Sequence, residues 1–163
     1  MLPVVERQPL RRMAGNTIGF SLAVLVDAPV PRVRAMLADL RNHTRLNPLI
    51  HEVVELPRDP AEPDAQRCRL YERLKLGPIP LRFWYLATVR AESEHALVAH
   101  AWAPMGVHVH VRYTMTPEAT RTRLEEHAEL TASRLVLGFT VRTAIDAHAA
   151  VLERLASILA PPG

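Results

Sequence analysis

Few residues in this sequence are placed to do chemistry. Glu72, Tyr85, Tyr113, Glu126 and His148 are the polar side chains that strand and helix periodicity aim inward, and His108 and His110 are a pair at metal-ligand spacing. A carboxylate inside an apolar wall costs several kcal/mol unless it is paired, so Glu126 beside His148 is the expected arrangement. Such a pair can simply satisfy itself, or it can orient the polar group of an otherwise apolar ligand. It can also move a proton in general acid/base catalysis, which needs a shifted pKa and a positioned substrate. The sequence leaves these three uses open and assigns no catalytic residue. His108 and His110 project together from one strand and could hold a metal, but they lie on its polar face and no Cys or carboxylate spacing completes a site. No metal and no cofactor is expected. The patterns GxGxxG, GxxxxGK[ST], GxSxG and HExxH do not occur, which removes the commonest nucleotide, phosphate, hydrolase and zinc-protease readings.

The elements that must position these residues are a terminal helix and a run of strands. Residues 133–160 read as one long helix. At 100° per residue, Val141, Ala144, Ile145, Val151, Leu152, Leu155, Ile158 and Leu159 share one side, while Arg142, Asp146, Glu153, Arg154 and Ser157 take the other. His148 interrupts the apolar side, between Ala144 and Leu152. Strands are expected at 17–26, 49–56, 67–75, 81–90, 96–102, 107–116 and 120–130, with short turn-rich connections that make sequence neighbours antiparallel. Alternation then assigns faces. Cys68, Leu70, Glu72 and Leu74 point inward, as do Phe83, Tyr85, Ala87 and Val89. So do Val107, Val109, Val111, Tyr113 and Met115, and, on the last strand, Thr122, Leu124, Glu126, Ala128 and Leu130. The candidate ligand-binding set is Glu72, Phe83, Tyr85, Tyr113, Glu126 and His148. Trp84 and Trp102 read as packing residues rather than recognition residues.

Between the first two strands, Pro31 opens a short helix over 31–40 with Val33, Met36, Leu37 and Leu40 on one stripe, and a second helix or turn follows over 41–46. Residues 1–14, broken by Pro3 and Pro9, read as a loose arm or an edge segment. A sheet curled around a helix encloses space, so an internal cavity is expected.

Composition bounds the rest. The 163 residues are 48% hydrophobic, enough for one core without a disulfide or metal staple. The single Cys68 has no partner for an internal disulfide, so a reducing cytoplasm is the expected compartment. No apolar run approaches the roughly 20 residues of a membrane-spanning helix. The isoelectric point near 9.6 reflects a net charge of only +3, with 19 arginines and one lysine interspersed among 17 acids. No block of like charge or interleaved aromatic stripe supports a nucleic-acid partner.

The order of strand, two short helices, six strands and a long helix, with the stretch VLVDAPVPRVRAMLADLRNHTRLNPLI, resembles the helix-grip superfamily of START-like and birch-pollen-allergen-like proteins. Within it the chain resembles the polyketide cyclase/dehydrase and lipid-transport (SRPBCC) family. The resemblance covers about residues 17–159, and its most specific parts are Ala28-Pro29 with Val33, Ala38-Asp39, and Pro48-Leu49-Ile50. It implies an α+β helix-grip fold: a seven-stranded antiparallel sheet wrapped around the C-terminal helix, with two short helices between strands 1 and 2. It also implies a hydrophobic cavity, used by relatives to bind lipids, hormones or polyketides and in a minority to catalyse cyclisation. The expectation is therefore one START-like ligand-binding domain over residues 1–163, in a cytoplasmic bacterial protein that carries a small hydrophobic ligand. The alternatives are a cyclase/aromatase-type enzyme using the same cavity and a protein-interaction module. No nucleic acid and no integral membrane segment is expected, and a homodimer is left open.

Overall fold

The computed structural model describes residues 3–162. In chain order its strands are Glu6–Arg7 (β1), Arg11–Arg12 (β2), Thr17–Val26 (β3), Ile50–Leu56 (β4), Gln66–Leu76 (β5), Ile79–Ser93 (β6), Ala96–Ala103 (β7), Val107–Glu118 (β8) and Arg121–Thr131 (β9). Helices Val30–Leu37 (α1) and His43–Leu46 (α2), with a 3-10 turn at Leu40–Asn42 between them, separate β3 from β4, and Leu137–Leu159 (α3) closes the chain. Every pairing is antiparallel, in the order β1-β3-β9-β8-β7-β6-β5-β4, with β2 also on β3. The long strands from β4 to β9 are joined in sequence order. The one long-range step brings β3 beside β9, from Thr17 opposite Thr131 to Val26 opposite Thr122.

The sheet has nine strands rather than seven, and the difference lies wholly in the arm. The arm is an edge segment: β1 and β2 pair in succession with the outer edge of β3, whose amides and carbonyls would otherwise be open to another chain. Exposed ion pairs tie the arm down, Arg123 to Glu6 and Arg7 to Asp146, each at 2.9 Å. At the other end of β3, the fully buried Thr122 donates its hydroxyl to the Ala28 carbonyl at 2.7 Å, fixing the turn into α1.

The core lies where α3 meets β3 and β9. Phe20, Leu22 and Val24 of β3, Leu124, Ala128 and Leu130 of β9, and Val151, Leu152, Leu155 and Leu159 of α3 are buried together. Ile158 departs from the expected apolar face: it is 36% exposed, because it lies about 100° around the helix from Leu159 and turns away from the sheet. The N-terminal half of α3 behaves differently. Beyond Phe139 at its first turn, its cavity-lining residues are the small Thr140, Thr143, Ala144 and Ala147, and those of β7 are Ala99, Ala101 and Ala103. Small side chains on both surfaces stop short of each other, so the sheet and helix touch along one half of α3 and stand apart along the other.

Candidate functional site

The space left between them is a cavity of about 450 Å³. Its wall is the inner face of β5 to β8, the N-terminal half of α3, and Leu37, Leu40, His43 and Asn47 from the helical segment. It opens at the end of the sheet formed by the β5–β6 turn, the β7–β8 turn and the β9–α3 loop, where Leu76, Met105 and Val136 line it. The wall is apolar over most of its area, and Glu72, Tyr85, Tyr113 and His148 lie close enough to perturb one another's ionisation. Glu72, Phe83, Tyr85, Tyr113 and His148 all face the cavity. Glu126 does not; it stands behind His148, fully buried, and its Oε1 accepts from His148 Nδ1 in a short contact.

That contact joins the last strand to the helix. Glu126 lies opposite Leu22 on β3 and Tyr113 on β8, so its carboxyl rises from the middle of the sheet directly under α3. Its second oxygen, Oε2, is buried without a hydrogen-bond partner among the described residues. The His148 ring packs edge-on against Phe20 at 5.5 Å, and its position on the cavity wall leaves Nε2 as the nitrogen free to meet a ligand. Burial works against protonation of His148. The charge and hydrogen bond of Glu126, with the charge of Glu72, outweigh it and raise its pKa above the ordinary histidine value.

The other groups are shaped by dehydration. Burial pushes the Glu72 carboxyl up to about 7, against the pull of His148. Burial raises the Tyr85 hydroxyl, and the Glu72 charge raises it further; Tyr113 is raised by burial, then by Glu126 and Tyr85. Both tyrosines are therefore neutral hydrogen-bond donors at physiological pH. His43, on α2, is pushed down to about 4 by burial and by His148. Sequence reasoning missed it, because a four-residue helix has too little periodicity to assign a face. Cys68, buried on β5 and pushed up to about 11 by that burial, is no nucleophile.

The outer face of the sheet corrects one expectation. Trp84 and Trp102 are 48% and 44% exposed and pack in no core. Trp84 lies under the Arg69 guanidinium at 4.6 Å, and Trp102 stacks with His100 and His108. His108 and His110 do face outward, and His108 Nε2 lies 3.2 Å from His100 Nδ1. Among the described residues, no group of three or more His, Cys, Asp or Glu side chains is arranged to hold a metal ion.

No protein-family model matches the chain, and no curated protein matches it in sequence. Solved structures do match in shape. The di-domain ARO/CYC BexL of the BE-7585A biosynthetic pathway superposes with a TM-score of 0.72 at 16% identity over 91% of this chain; the chain spans about half of that protein, 52%. The Zhui aromatase/cyclase from Streptomyces sp. R1128 gives 0.72 at 15% identity, covering 88% of this chain and 93% of that one. The fold is the START-like helix-grip fold. The human StarD13 lipid transfer and protein localization domain shares it, with a TM-score of 0.65 at 14% identity over 94% of this chain and 89% of that one.

Two outcomes follow for the polar patch of this helix-grip protein. The carboxyl of Glu72 titrates near 7 when folded and near 4.5 when unfolded, so its neutral form favours folding below 4.5 and that advantage is lost as pH rises through 7. Glu72→Gln should leave Tm unchanged near pH 4.5 and raise stability at pH 8 by up to about 3 kcal/mol, measured by thermal melts across pH. His148→Leu strands the Glu126 carboxyl, which already has one orphaned oxygen, and should cost about 3–5 kcal/mol. The double variant His148→Leu/Glu126→Leu should recover most of that loss in urea denaturation.

Proposed function

We propose that the protein binds and carries a small hydrophobic molecule, lipid-like or polyketide-like, in the cavity between sheet and α3. The observation that carries this reading is the cavity itself. Its volume falls within the roughly 300–1,000 Å³ typical of small-molecule sites, and its mainly apolar wall carries a cluster of polar groups at Glu72, Tyr85, Tyr113 and His148. An apolar body would lie against Val109, Val111, Ala101 and Ala144 and gain about 25 cal/mol per Å² of surface removed from water. One polar group on that body would meet Glu72, Tyr85, Tyr113 and Nε2 of His148. The similarity in fold to a lipid transfer domain agrees with this reading.

A second reading is supported by Glu72. A carboxyl with a pKa near 7 can give and take a proton at neutral pH, and the two tyrosines beside it can hold a ketone or enolate oxygen. That chemistry suits ring closure of a poly-β-ketone, and two of the similar folds are named as aromatase/cyclases. Glu72→Gln separates the readings: under the enzyme reading it abolishes acceleration of cyclisation while leaving binding intact.

The wild-type protein should bind an environment-sensitive apolar dye with micromolar Kd, about 8 kcal/mol, and fatty acids or aromatic polyketides should displace it. Ala101→Phe places a ring in the cavity. It should weaken dye binding at least tenfold, about 1.4 kcal/mol, with Tm within a few degrees of wild type. Unaltered dye binding in folded Ala101→Phe would place the dye elsewhere and overturn the reading.

A further inference from the structure

We propose that the mouth of the cavity is a docking surface for an anionic lipid bilayer. Three tight tips surround the opening, and each presents a large apolar side chain to water. The β5–β6 turn carries Leu76 and Ile79, 45% and 56% exposed; the β7–β8 turn carries Met105, 60% exposed; the β9–α3 loop carries Leu135, 94% exposed. Singly, exposed apolar residues are ordinary, but here they ring one opening that is itself apolar.

Met105 is the most telling of them. Its φ of 65° is a left-handed conformation that costs an ordinary side chain free energy and that glycine, present next door at Gly106, takes without strain. A methionine held there with no core to enter contributes nothing visible to folding. Leu76 and Ile79 face each other across the two-residue turn Gly77-Pro78, with Gly77 at φ 59°, so a rigid hairpin tip holds this pair outward.

Charge selects the kind of surface. Residues 73–91, 95–117 and 130–145, which supply all three tips, contain no Asp or Glu. They supply the exposed cations Arg73, Lys75, Arg82 and Arg134, none of which is in an ion pair among the described residues; Arg134 donates only to the neutral Asn16 side chain at 3.2 Å. Six acids, Asp59, Glu62, Asp64, Glu92, Glu94 and Glu118, lie at or beside the connections of the opposite end of the sheet, and the exposed acid nearest the tips, Glu129, is 4.0 Å from His110. Cations set behind projecting apolar tips match a layer of anionic headgroups over hydrocarbon. A bilayer fits better than an acidic protein because the tips are separate and convex, a shape that a fluid surface follows and a folded partner must be built to match. The inference holds whatever molecule the cavity carries.

The test is co-sedimentation of the full-length protein with vesicles of phosphatidylcholine alone and of phosphatidylcholine mixed with phosphatidylglycerol. The protein should pellet with the anionic vesicles, release as salt rises, and stay in solution with the neutral ones. Lys75→Gln or Arg134→Gln should each lower partitioning about fivefold, equivalent to ~1 kcal/mol per cation. Leu135→Ser, at a fully solvated position, and Met105→Gly, which relieves the left-handed strain, should each weaken partitioning severalfold without lowering Tm by more than a few degrees. Dye binding by Lys75→Gln, Arg134→Gln and Leu135→Ser, whose side chains do not line the cavity, should match wild type in solution, which separates loss of docking from loss of the cavity. Wild-type protein that stays in the supernatant with anionic vesicles at low salt would refute the lipid surface and leave an acidic protein as the occupant. Pelleting that is indifferent to the tip variants would refute the location.

Discussion

The fold turns on a carboxylate that has nowhere else to go. Glu126 sits at the middle of β9 with no exposed surface, in a layer otherwise made of Leu124, Ala128 and Leu130. Water cannot reach it, so its charge must be met from above, and the group above is His148 on α3. An apolar face could slide or rotate along the sheet with little penalty, whereas a buried ion pair has one register in which both partners are satisfied. The pair therefore fixes the rotation and the height of α3 over the sheet. That same placement sets which stripe of the helix looks at the cavity and brings Nε2 of His148 to its wall.

The second determinant is the distribution of side-chain size. Bulky residues pack together where α3 passes over β3 and β9. Farther along, Ala99, Ala101 and Ala103 oppose Thr140, Thr143, Ala144 and Ala147, and none of these can reach across. Space persists because the surrounding antiparallel strands and the ion pair hold the two layers apart while the far half of the helix is packed tight. Polar groups on this wall are dehydrated by the apolar surface around them, which is why Glu72 holds its proton into the neutral range and both tyrosines stay uncharged.

Much of this was legible in the order of residues, for a physical reason. A period of two is read equally well whatever the strand pairs with, so the inward faces of β5, β6, β8 and β9 could be assigned before their neighbours were known. His148 announced itself by breaking an apolar stripe, and Glu126 followed as the inward acid on the strand that leads into the helix. What escaped depended on long-range geometry. The two dipeptide strands of the arm have no periodicity and exist only because β3 offers an open edge. His43 sits on a helix of one turn. Trp84 and Trp102 read as packing residues by type, yet both are half-exposed on the outer face; for Trp84 the alternation of its strand already pointed outward and was the better guide. The cavity could not be read from any single strand, because it depends on two runs of small residues, some forty positions apart, coming to line one space.

The division of α3 into a clamped half and a spanning half has a consequence for descent. Substitutions at Leu152, Leu155 or Leu159 strike the packing on which the whole chain depends, so those positions are closed to change. Thr140, Thr143, Ala144 and Ala147 line the cavity, and enlarging or trimming them alters the room inside without loosening the clamp. A lineage built on this plan can drift from one cargo to another by single steps, each of them still a folded protein. Fixed architecture and adjustable interior are separate sections of one helix, divided by His148.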